Sequence, residues 1–445
     1  MGELRAILLT FSLGILLILS FRPLAKKIGL VDAPGGRKWH GDKTPLVGGI
    51  AMFGAFVITI IVDNLYFPEL KGLLGGASLL VVLGILDDFH ELSAWPRIIG
   101  QILAAVIMYF LGGKSIESLG TLLGASNITL GPLAFPFTVF ATVGVINAFN
   151  MIDGVDGLAG GLSLISLLFF SLLAGLSGHR MDLMILGILG AAVIAFLLFN
   201  LRFPGRPFAM IFMGDAGSMF LGFTLCWFAV GLSQGDHRAM APVTALWILA
   251  VPLFDTLSVM IRRLVNGQSP FAADRGHLHH VLMEQLPSNQ PQMDQAQPIQ
   301  QDVFETLTII FTMAVVLGSI GVILEVLNVA ETISCLLFIT IFSGYLQFTS
   351  RQKSLDVALL ILRRWLPRNS TSENSATDPS LSITTPSRHL ATNNLPTADI
   401  KPLVKNDIEH PLGHRPRGRV RHTSAQANPR RTSGKSHLNT PRRVP

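Results

Sequence analysis

Residues 70–88 read LKGLLGGASLLVVLGILDD, an apolar run that ends directly in two carboxylates, Asp87 and Asp88. About twenty apolar residues are enough for a helix to span the hydrocarbon core of a bilayer. A charged side chain inside that core is costly, so adjacent carboxylates at the end of such a run belong at the membrane surface or in a water-filled cavity. The segment therefore predicts a membrane-spanning helix that ends in a polar site.

Apolar runs of this kind recur along most of the chain. Half of its 445 residues are apolar and only 14% are charged, with a mean hydropathy of +0.51, which excludes a soluble domain of ordinary composition. Both cysteines, Cys226 and Cys335, lie inside apolar runs, so a disulfide framework is not expected. We predict an all-α polytopic membrane protein with eleven transmembrane helices, near residues 5–22, 46–63, 70–86, 97–112, 133–149, 158–177, 183–200, 216–233, 241–261, 304–324 and 331–349.

The loops between the predicted spans alternate in character, and this alternation orients the chain. Loops after odd-numbered spans are long or carry polar motifs, whereas loops after even-numbered spans are mostly short. Lysine and arginine are concentrated in the first set, and such loops remain in the cytoplasm. We therefore predict an outside N-terminus, cytoplasmic motif loops and a cytoplasmic C-terminus. The basic residues of the first set are Lys26, Lys27, Arg37, Lys38, Lys43, Arg202, Arg206, Arg262, Arg263 and Arg275.

The C-terminal segment differs from the rest in charge and composition. Residues 351–445 contain 17 of the 34 lysines and arginines but only 6 of the 28 acids, so their net charge is +11 while that of residues 1–350 is −5. Beyond about residue 366, serine, threonine, asparagine, proline and arginine predominate, a composition typical of disorder. We predict a polytopic membrane domain over 1–350 and a basic cytoplasmic tail over 351–445. We predict contact with membrane lipid and no nucleic-acid partner.

Five polar clusters fall on the predicted cytoplasmic side. Gathered on one membrane face, they indicate an active site that meets a soluble, anionic substrate. A secondary transporter, the main alternative, tends to have repeated halves and charges near the bilayer midplane, and neither pattern is evident. A membrane scaffold would explain the basic tail and none of the acidic motifs. The clusters are Asp32–His40, Asp87–Asp88, Asn147–Gly157, Phe212–Ser218 and Asp274–His280.

The acidic clusters indicate phosphate and metal chemistry. Asp87 and Asp88 end a helix, where the helix dipole opposes a negative charge, so a metal ion or a basic neighbour such as Arg97 must offset them. Asp215 lies between glycines at the start of a predicted helix, whose free N–H groups favour phosphate. Mg²⁺ prefers one or two carboxylates plus substrate phosphates. Asp215 is therefore predicted to hold a magnesium diphosphate, with simple helix capping as the alternative.

Two further clusters combine carboxylates with amides or with imidazoles and guanidinium groups. The amides of Asn147 and Asn150 and the carboxylates of Asp153 and Asp156 fall within ten residues, and they suit oxygen coordination or nucleotide recognition. The histidine series lies in a predicted loop beside several arginines, so its imidazoles are expected to donate hydrogen bonds to phosphate oxygens rather than to bind zinc. The members of this basic group are Arg262, Arg263, Arg275, His277, His279 and His280.

Taken in order, these motifs resemble those of the polyprenyl-phosphate N-acetylhexosamine-1-phosphate transferases, and most closely those of the bacterial members that use undecaprenyl phosphate. The resemblance covers about residues 1–350. It is specific because several independent motifs agree in order and spacing. The strings that carry it are Gly29–Asp32 with Arg37, Lys38 and His40, Pro45–Ile50, Asn147–Gly161, Phe212–Ser218, Pro242–Trp247, Ser269–Phe271 and Asp274–His280.

The resemblance implies transfer of N-acetylglucosamine 1-phosphate from UDP-N-acetylglucosamine to undecaprenyl phosphate, with release of UMP. This would be the first membrane step of O-antigen or a related cell-envelope glycan, at the cytoplasmic face of a bacterial inner membrane. It implies Mg²⁺, with Mn²⁺ as an alternative, held by Asp215 and Asn150, and it leaves a homodimer open. The implied catalytic carboxylates are Asp87, Asp88, Asp153 and Asp156. The implied substrate contacts are Lys38, His40, Arg97, Asn147, Arg262, Arg263, Arg275, His277, His279 and His280.

One departure bears on the sugar donor. The related peptidoglycan-precursor transferases carry three adjacent histidines, whereas Leu278 interrupts the series here. They also lack the Asp274–His277 lead-in. These differences argue against UDP-N-acetylmuramoyl-pentapeptide and leave other small UDP-N-acetylhexosamines open.

Overall fold

A computed structural model describes residues 2–32, 43–124, 126–202, 206, 208–268, 276–285 and 300–350. Within them, strands β1 (Val31–Asp32) and β2 (Thr44–Pro45) form an antiparallel pair. The predicted tail, residues 351–445, lies outside the described residues. The helices are α1 (Gly2–Ile28), α2 (Gly48–Val62), α3 (Leu70–His90), α4 (Ala94–Phe110), α5 (Ala134–Ile152), α6 (Leu158–Leu176), α7 (Arg180–Asn200), α8 (Gly214–Ser233), α9 (Pro242–Ile248), α10 (Ala250–Val265), α11 (Leu278–Gln285), α12 (Gln300–Val326) and α13 (Glu331–Ser350).

The all-α polytopic class is confirmed, because each of the eleven predicted spans falls on helix. Among the described residues, eight helices are long and apolar enough to cross a membrane, and the bent pair α9–α10 would make a ninth. The other two, α2 and α4, have 15 and 17 residues. At 1.5 Å per residue α2 is about 22 Å long, less than a hydrocarbon core of about 30 Å. The count of eleven spans and their orientation remain predictions.

The predicted span 241–261 falls on two helices rather than on one continuous helix. It consists of α9 and α10, which meet at Leu249 with a bend of 82°. Pro252 has no N–H to donate to the carbonyl of Ile248, four residues earlier. The Ser166 hydroxyl lies 3.3 Å from that carbonyl oxygen and satisfies it. Apolar composition alone does not reveal such a break, because the two helices follow one another in a single run of membrane-spanning length.

Helix α8 forms the centre of the bundle. Of its most apolar stretch 94% is buried, compared with 6% for α13 at the periphery. A helix that is apolar on all sides has to be covered on all sides, and the side chains of Phe220, Phe223 and Trp227 are fully buried. Because α8 begins at Gly214, the Phe212–Ser218 motif lies at one end of the most enclosed helix.

Small residues let the neighbouring helices approach the start of α8. A Cβ atom built on Gly84 of α3 would lie 2.3 Å from both the Cα and the backbone nitrogen of Ala216. A Cβ atom built on Gly49 of α2 would lie 2.2 Å from the backbone nitrogen of Gly217. Real side chains do not fit at such distances, so α2 and α3 contact α8 backbone to backbone.

Gly84→Ala is therefore expected to destabilise the protein by about 1–3 kcal/mol, the range typical of overpacking. The added methyl group meets backbone atoms of α8, which no side-chain rotation can move. Thermal unfolding of the detergent-solubilised protein measures this effect. The matched control is Gly144→Ala in α5, where a Cβ atom has nothing within 4 Å. Equal melting temperatures for the two variants would contradict the close approach of α3 to α8.

The predicted orientation can be tested with cysteines at exposed positions near opposite helix ends. Gln268 follows α10, near the motif end, and Asp236 follows α8 at its other end. In a chain carrying Cys226→Ala and Cys335→Ala, Gln268→Cys should react with a membrane-impermeant maleimide only after the inner leaflet is opened. Asp236→Cys should react in spheroplasts. The reverse labelling pattern would overturn the cytoplasmic placement of the motifs.

Candidate active site

The N-terminus of α8 is held by a carboxylate from α3. Asp88 Oδ1 accepts a hydrogen bond from the N–H of Asp215 at 2.8 Å, and Asp88 Oδ2 accepts a longer one, 3.5 Å, from the N–H of Ala216. Gly214 has a φ of +72°, and a Cβ atom there would lie 2.5 Å from Asp88 Oδ2. The positive end of the helix dipole stabilises this carboxylate. The prediction that these two N–H groups are free for phosphate was wrong.

Asn150 of α5 contacts Asp215 at the N-terminus of α8. Its amide nitrogen donates hydrogen bonds to Asp215 Oδ1 at 2.5 Å and to Ser218 Oγ at 2.9 Å. Three of the clusters separated along the sequence are thus joined at the start of α8. The two residues predicted to bind the metal are in direct contact.

Asp87 pairs with the basic neighbour that the sequence indicated. Its Oδ2 lies 3.3 Å from Arg97 Nη1, and its Oδ1 accepts the N–H of Leu92 at 2.7 Å. The Asp87 side chain is 3% exposed, whereas that of Arg97 is 34% exposed. The guanidinium is therefore within reach of a ligand at the surface, while the carboxylate orients it from behind.

The loop between α5 and α6 brings further carboxylates to this end of the bundle. Asp156 Oδ2 accepts a hydrogen bond from Arg202 Nε at 2.7 Å, and both side chains are largely buried. Burial first, and then the negative charges of Asp215 and Asp156, raise the pKa of Asp153 to about 7. Asp153, Asp156 and Asp215 therefore lie near enough to one another for their charges to interact.

The histidine series was predicted to lie in a loop, and that prediction was wrong for two of its members. His279 and His280 belong to α11, and His277 immediately precedes it. The buried Asp255 of α10 accepts the Leu278 N–H at 2.8 Å, and its other oxygen lies 2.8 Å from His277 Nδ1. A carboxylate on the first N–H group of a helix favours a helix start at that point.

His279 places α11 against the loop between α5 and α6, which carries Asp153 and Asp156. It is 1% exposed, and a Cβ atom on Gly154 would lie 2.5 Å from its Nε2. Burial, with the nearby His280, lowers the pKa of His279 to about 3, so the ring is neutral. Among the described residues neither ring nitrogen has a hydrogen-bond partner. This contact brings the histidines of the Asp274–His280 cluster against the Asn147–Gly157 cluster.

Two of the predicted substrate contacts are engaged within the protein. The Asn147 amide donates a hydrogen bond to Gln101 Oε1 at 2.7 Å, across the contact between α4 and α5. Arg262 donates hydrogen bonds to the carbonyl oxygens of Gly276 at 2.5 Å and Thr349 at 3.2 Å. Both side chains brace the helices around the site, and their contacts with a substrate remain predictions.

Other predicted residues are buried or lie beyond what the structure describes. Arg263 is buried in α10. The ring of His280 lies 4.2 Å from that of His279, measured between centroids. Lys38, His40 and Arg275 lie outside the described residues.

The residues around Asp215 fit a divalent cation that also takes substrate oxygens. Within the described ranges no group of three or more His, Cys, Asp or Glu side chains is arranged to hold a metal ion. The amide nitrogen of Asn150 contacts Asp215 Oδ1, so the amide oxygen of Asn150 and the carboxylate of Asp215 lie near one another and can both serve as oxygen ligands. After burial, the charges of Asp215 and Asp156 also raise the pKa of Asp153, and a cation would offset those charges. Mg²⁺ commonly binds through one or two carboxylates plus phosphates.

Sequence reasoning missed three residues of the site. Asp255 lies within a predicted span, and an acid in such a run is itself a sign of function. Arg202 served only to orient the chain, although it pairs with Asp156. Gln101 belongs to an apolar run, and its partner Asn147 is 46 residues away. Pairings at that separation leave no trace in local periodicity.

Comparisons with known proteins identify the family of this chain. The sequence profile of Glycosyl transferase family 4 matches residues 70–233, from α3 to α8. The undecaprenyl-phosphate alpha-N-acetylglucosaminyl 1-phosphate transferase of Escherichia coli (strain K12) is 36% identical over 349 residues, 78% of this chain and 91% of the relative. The chain belongs to glycosyl transferase family 4.

Other relatives of this family bear the same name. The one from Yersinia pestis is 38% identical over 61% of this chain and 74% of its own length. The one from Haemophilus influenzae is 37% identical over 62% of this chain and 78% of its own. Together with the helical bundle, these similarities identify a multi-pass membrane enzyme, a polyprenyl-phosphate sugar-1-phosphate transferase.

Proposed function

We propose that this enzyme transfers N-acetylglucosamine 1-phosphate from UDP-N-acetylglucosamine to undecaprenyl phosphate and releases UMP. The reaction takes place at the cytoplasmic face of a bacterial inner membrane and begins O-antigen or a related cell-envelope glycan. The proposal is supported by the names of the relatives and by one observation in the structure. Asp88, Asn150 and Asp215, from three separate motifs, meet at one end of the central helix.

The bonds that change define what the site has to do. An oxygen of the lipid phosphate becomes bonded to the β-phosphorus of the donor, and the bond from that phosphorus to the bridging oxygen breaks, so that UMP leaves. Both reactants are anions, so the reaction requires positioning and charge neutralisation more than covalent chemistry by the protein. Direct attack and a covalent enzyme intermediate give the same overall balance.

Within this proposal, Asp215 and Asn150 hold Mg²⁺ or Mn²⁺. When bound, the metal ion neutralises charge on the donor diphosphate. Asp88 acts through the start of α8: by accepting the N–H groups of Asp215 and Ala216 it fixes the Asp215 carboxylate in place. In this proposal Asp88 positions a metal ligand, in place of the catalytic role that the resemblance implies for its carboxylate.

The remaining residues orient the two substrates. Arg97, oriented by Asp87, meets the lipid phosphate near the membrane surface. The Asp153–Asp156 loop contacts the nucleotide or orders the metal site. The imidazoles before and within α11 approach that loop and contact the diphosphate or the sugar.

The test is release of UMP by the purified protein in detergent with undecaprenyl phosphate and Mg²⁺. We expect UMP and a lipid-linked product from UDP-N-acetylglucosamine. A panel of UDP-N-acetylhexosamines, with the lipid product identified by mass spectrometry, tests the alternative that another sugar is preferred. Absence of UMP release with every donor would refute the proposal.

A further inference from the structure

Asp255 is a buried acid with no place in the proposed chemistry. It belongs to α10, three residues beyond Pro252, and is 1% exposed. Its Oδ2 lies 2.8 Å from His277 Nδ1. Its Oδ1 accepts the N–H of Leu278 at 2.8 Å and lies 3.5 Å from the Tyr345 hydroxyl. A buried carboxylate is costly unless it is well paired. The partners of Asp255 lie at the start of α11 and in α13.

These contacts set the protonation of the His277 ring. A carboxylate only accepts hydrogen bonds, so the ring nitrogen facing it, Nδ1, carries a proton. In the neutral imidazole, Nε2 is then the unprotonated nitrogen. A partner of this kind fixes both the tautomer and the orientation of a histidine.

The same carboxylate determines where α11 begins. Leu278 is the first residue of α11, and its N–H group has no partner inside the helix. His277 and His279 stack with their ring centroids 5.8 Å apart and their planes 15° apart. His279 in turn lies against Gly154. The position of His277 therefore affects how α11 packs on the Asp153–Asp156 loop.

We propose that Asp255 is a positioning residue for the transfer reaction, which holds the His277 ring and the start of α11 against the Asp153–Asp156 loop. The inference rests on the function proposed above. It assigns Asp255 to the donor side of the site, because α11 approaches the loop expected to contact the nucleotide. It gives Asp255 no contact with either substrate.

Asp255→Asn tests this role with little change of shape. Its amide can still accept the Leu278 N–H, but its NH₂ group would face the protonated Nδ1 of His277, so the ring must turn or change tautomer. For metal-bound histidines, loss of such an outer partner commonly costs about 10–100-fold, and we expect a similar range for His277. We expect kcat/KM for UDP-N-acetylglucosamine to fall by that factor with a raised donor KM, while KM for undecaprenyl phosphate stays within twofold.

Thr256→Val is the matched control. Thr256 is the next residue of α10, it is buried, and its hydroxyl has no partner among the described residues. Its kinetic constants should stay within twofold of those of the unmodified protein. His277→Asn approaches the same link from the other side and should reproduce the rise in donor KM, so the inference stays testable if Asp255→Asn folds poorly.

Two kinetic outcomes would overturn the inference. One is an Asp255→Asn enzyme with unchanged constants. The other is a lower kcat with both KM values unchanged, which indicates only a smaller folded fraction. Hydrogen–deuterium exchange needs no turnover. It therefore tests the role of Asp255 even if the proposed reaction proves wrong. Asp255→Asn should speed exchange across Leu278–Gln285 at least threefold and Thr256→Val should not, and equal exchange in both would overturn the anchoring of α11.

Discussion

Asp215→Asn is expected to lower the rate of UMP release by about 10²–10³-fold, which corresponds to about 3–4 kcal/mol of lost electrostatic stabilisation. The asparagine retains an oxygen that can accept the hydrogen bond from Asn150, and its backbone N–H still reaches Asp88. The fold at the start of α8 should therefore persist. What is lost is the negative charge beside the metal position. Steady-state rates at limiting Mg²⁺, with melting temperatures of both proteins, measure the effect.

Asp236→Asn provides the control for this substitution. Asp236 is exposed at the opposite end of α8, far along the helix from the clustered motifs. Its rate should equal that of the unmodified protein. An Asp215→Asn enzyme that retains more than half of the activity at limiting Mg²⁺ would remove Asp215 from the metal site.

Asp88→Ala is expected to reduce turnover by about 100-fold, or about 2.7 kcal/mol in activation free energy. The substitution removes both oxygens that accept the N–H groups of Asp215 and Ala216. A buried N–H group left without a partner costs about 1–3 kcal/mol, so the start of α8 should shift and carry the Asp215 carboxylate with it. Rates at saturating Mg²⁺ and the concentration of Mg²⁺ at half-maximal rate together measure the change.

Asp88→Asn distinguishes hydrogen bonding from charge at this position. It keeps an acceptor for the Asp215 N–H, so about tenfold more activity should remain than in Asp88→Ala. If both variants fold and are equally inactive, the hydrogen bonds are not what Asp88 contributes. Its charge would then act in the reaction directly, which is the catalytic role that the resemblance implies.

The helices could be predicted from the sequence because membrane spans are determined by local composition. Residues 70–86 are apolar enough to predict α3 without its neighbours, and the carboxylates that follow locate its polar end. The bend at Leu249 could not be predicted in this way. It depends on Ser166 of another helix, which satisfies the carbonyl that Pro252 leaves free. Composition describes each segment alone and omits such partners.

The members of the candidate site were largely predictable, but their pairings were not. Asn150 and Asp215 are both recognisable as polar residues beside glycines, yet only the packing of α5 on α8 brings them together. The sequence identified Asp88 as a polar residue of the site, but it did not show that its carboxylate accepts N–H groups of α8. The N–H groups of a helix start are identical in every sequence, so what occupies them is decided by tertiary structure.

The fate of the two donor phosphates distinguishes transfer of a phosphosugar from transfer of a sugar alone. The purified protein is given undecaprenyl phosphate, Mg²⁺ and UDP-N-acetylglucosamine labelled with radioactive phosphorus at either the α- or the β-position. We predict that the β-label appears in the lipid product and the α-label in UMP. A lipid product that carries the sugar and neither label, with UDP as the second product, would contradict the account.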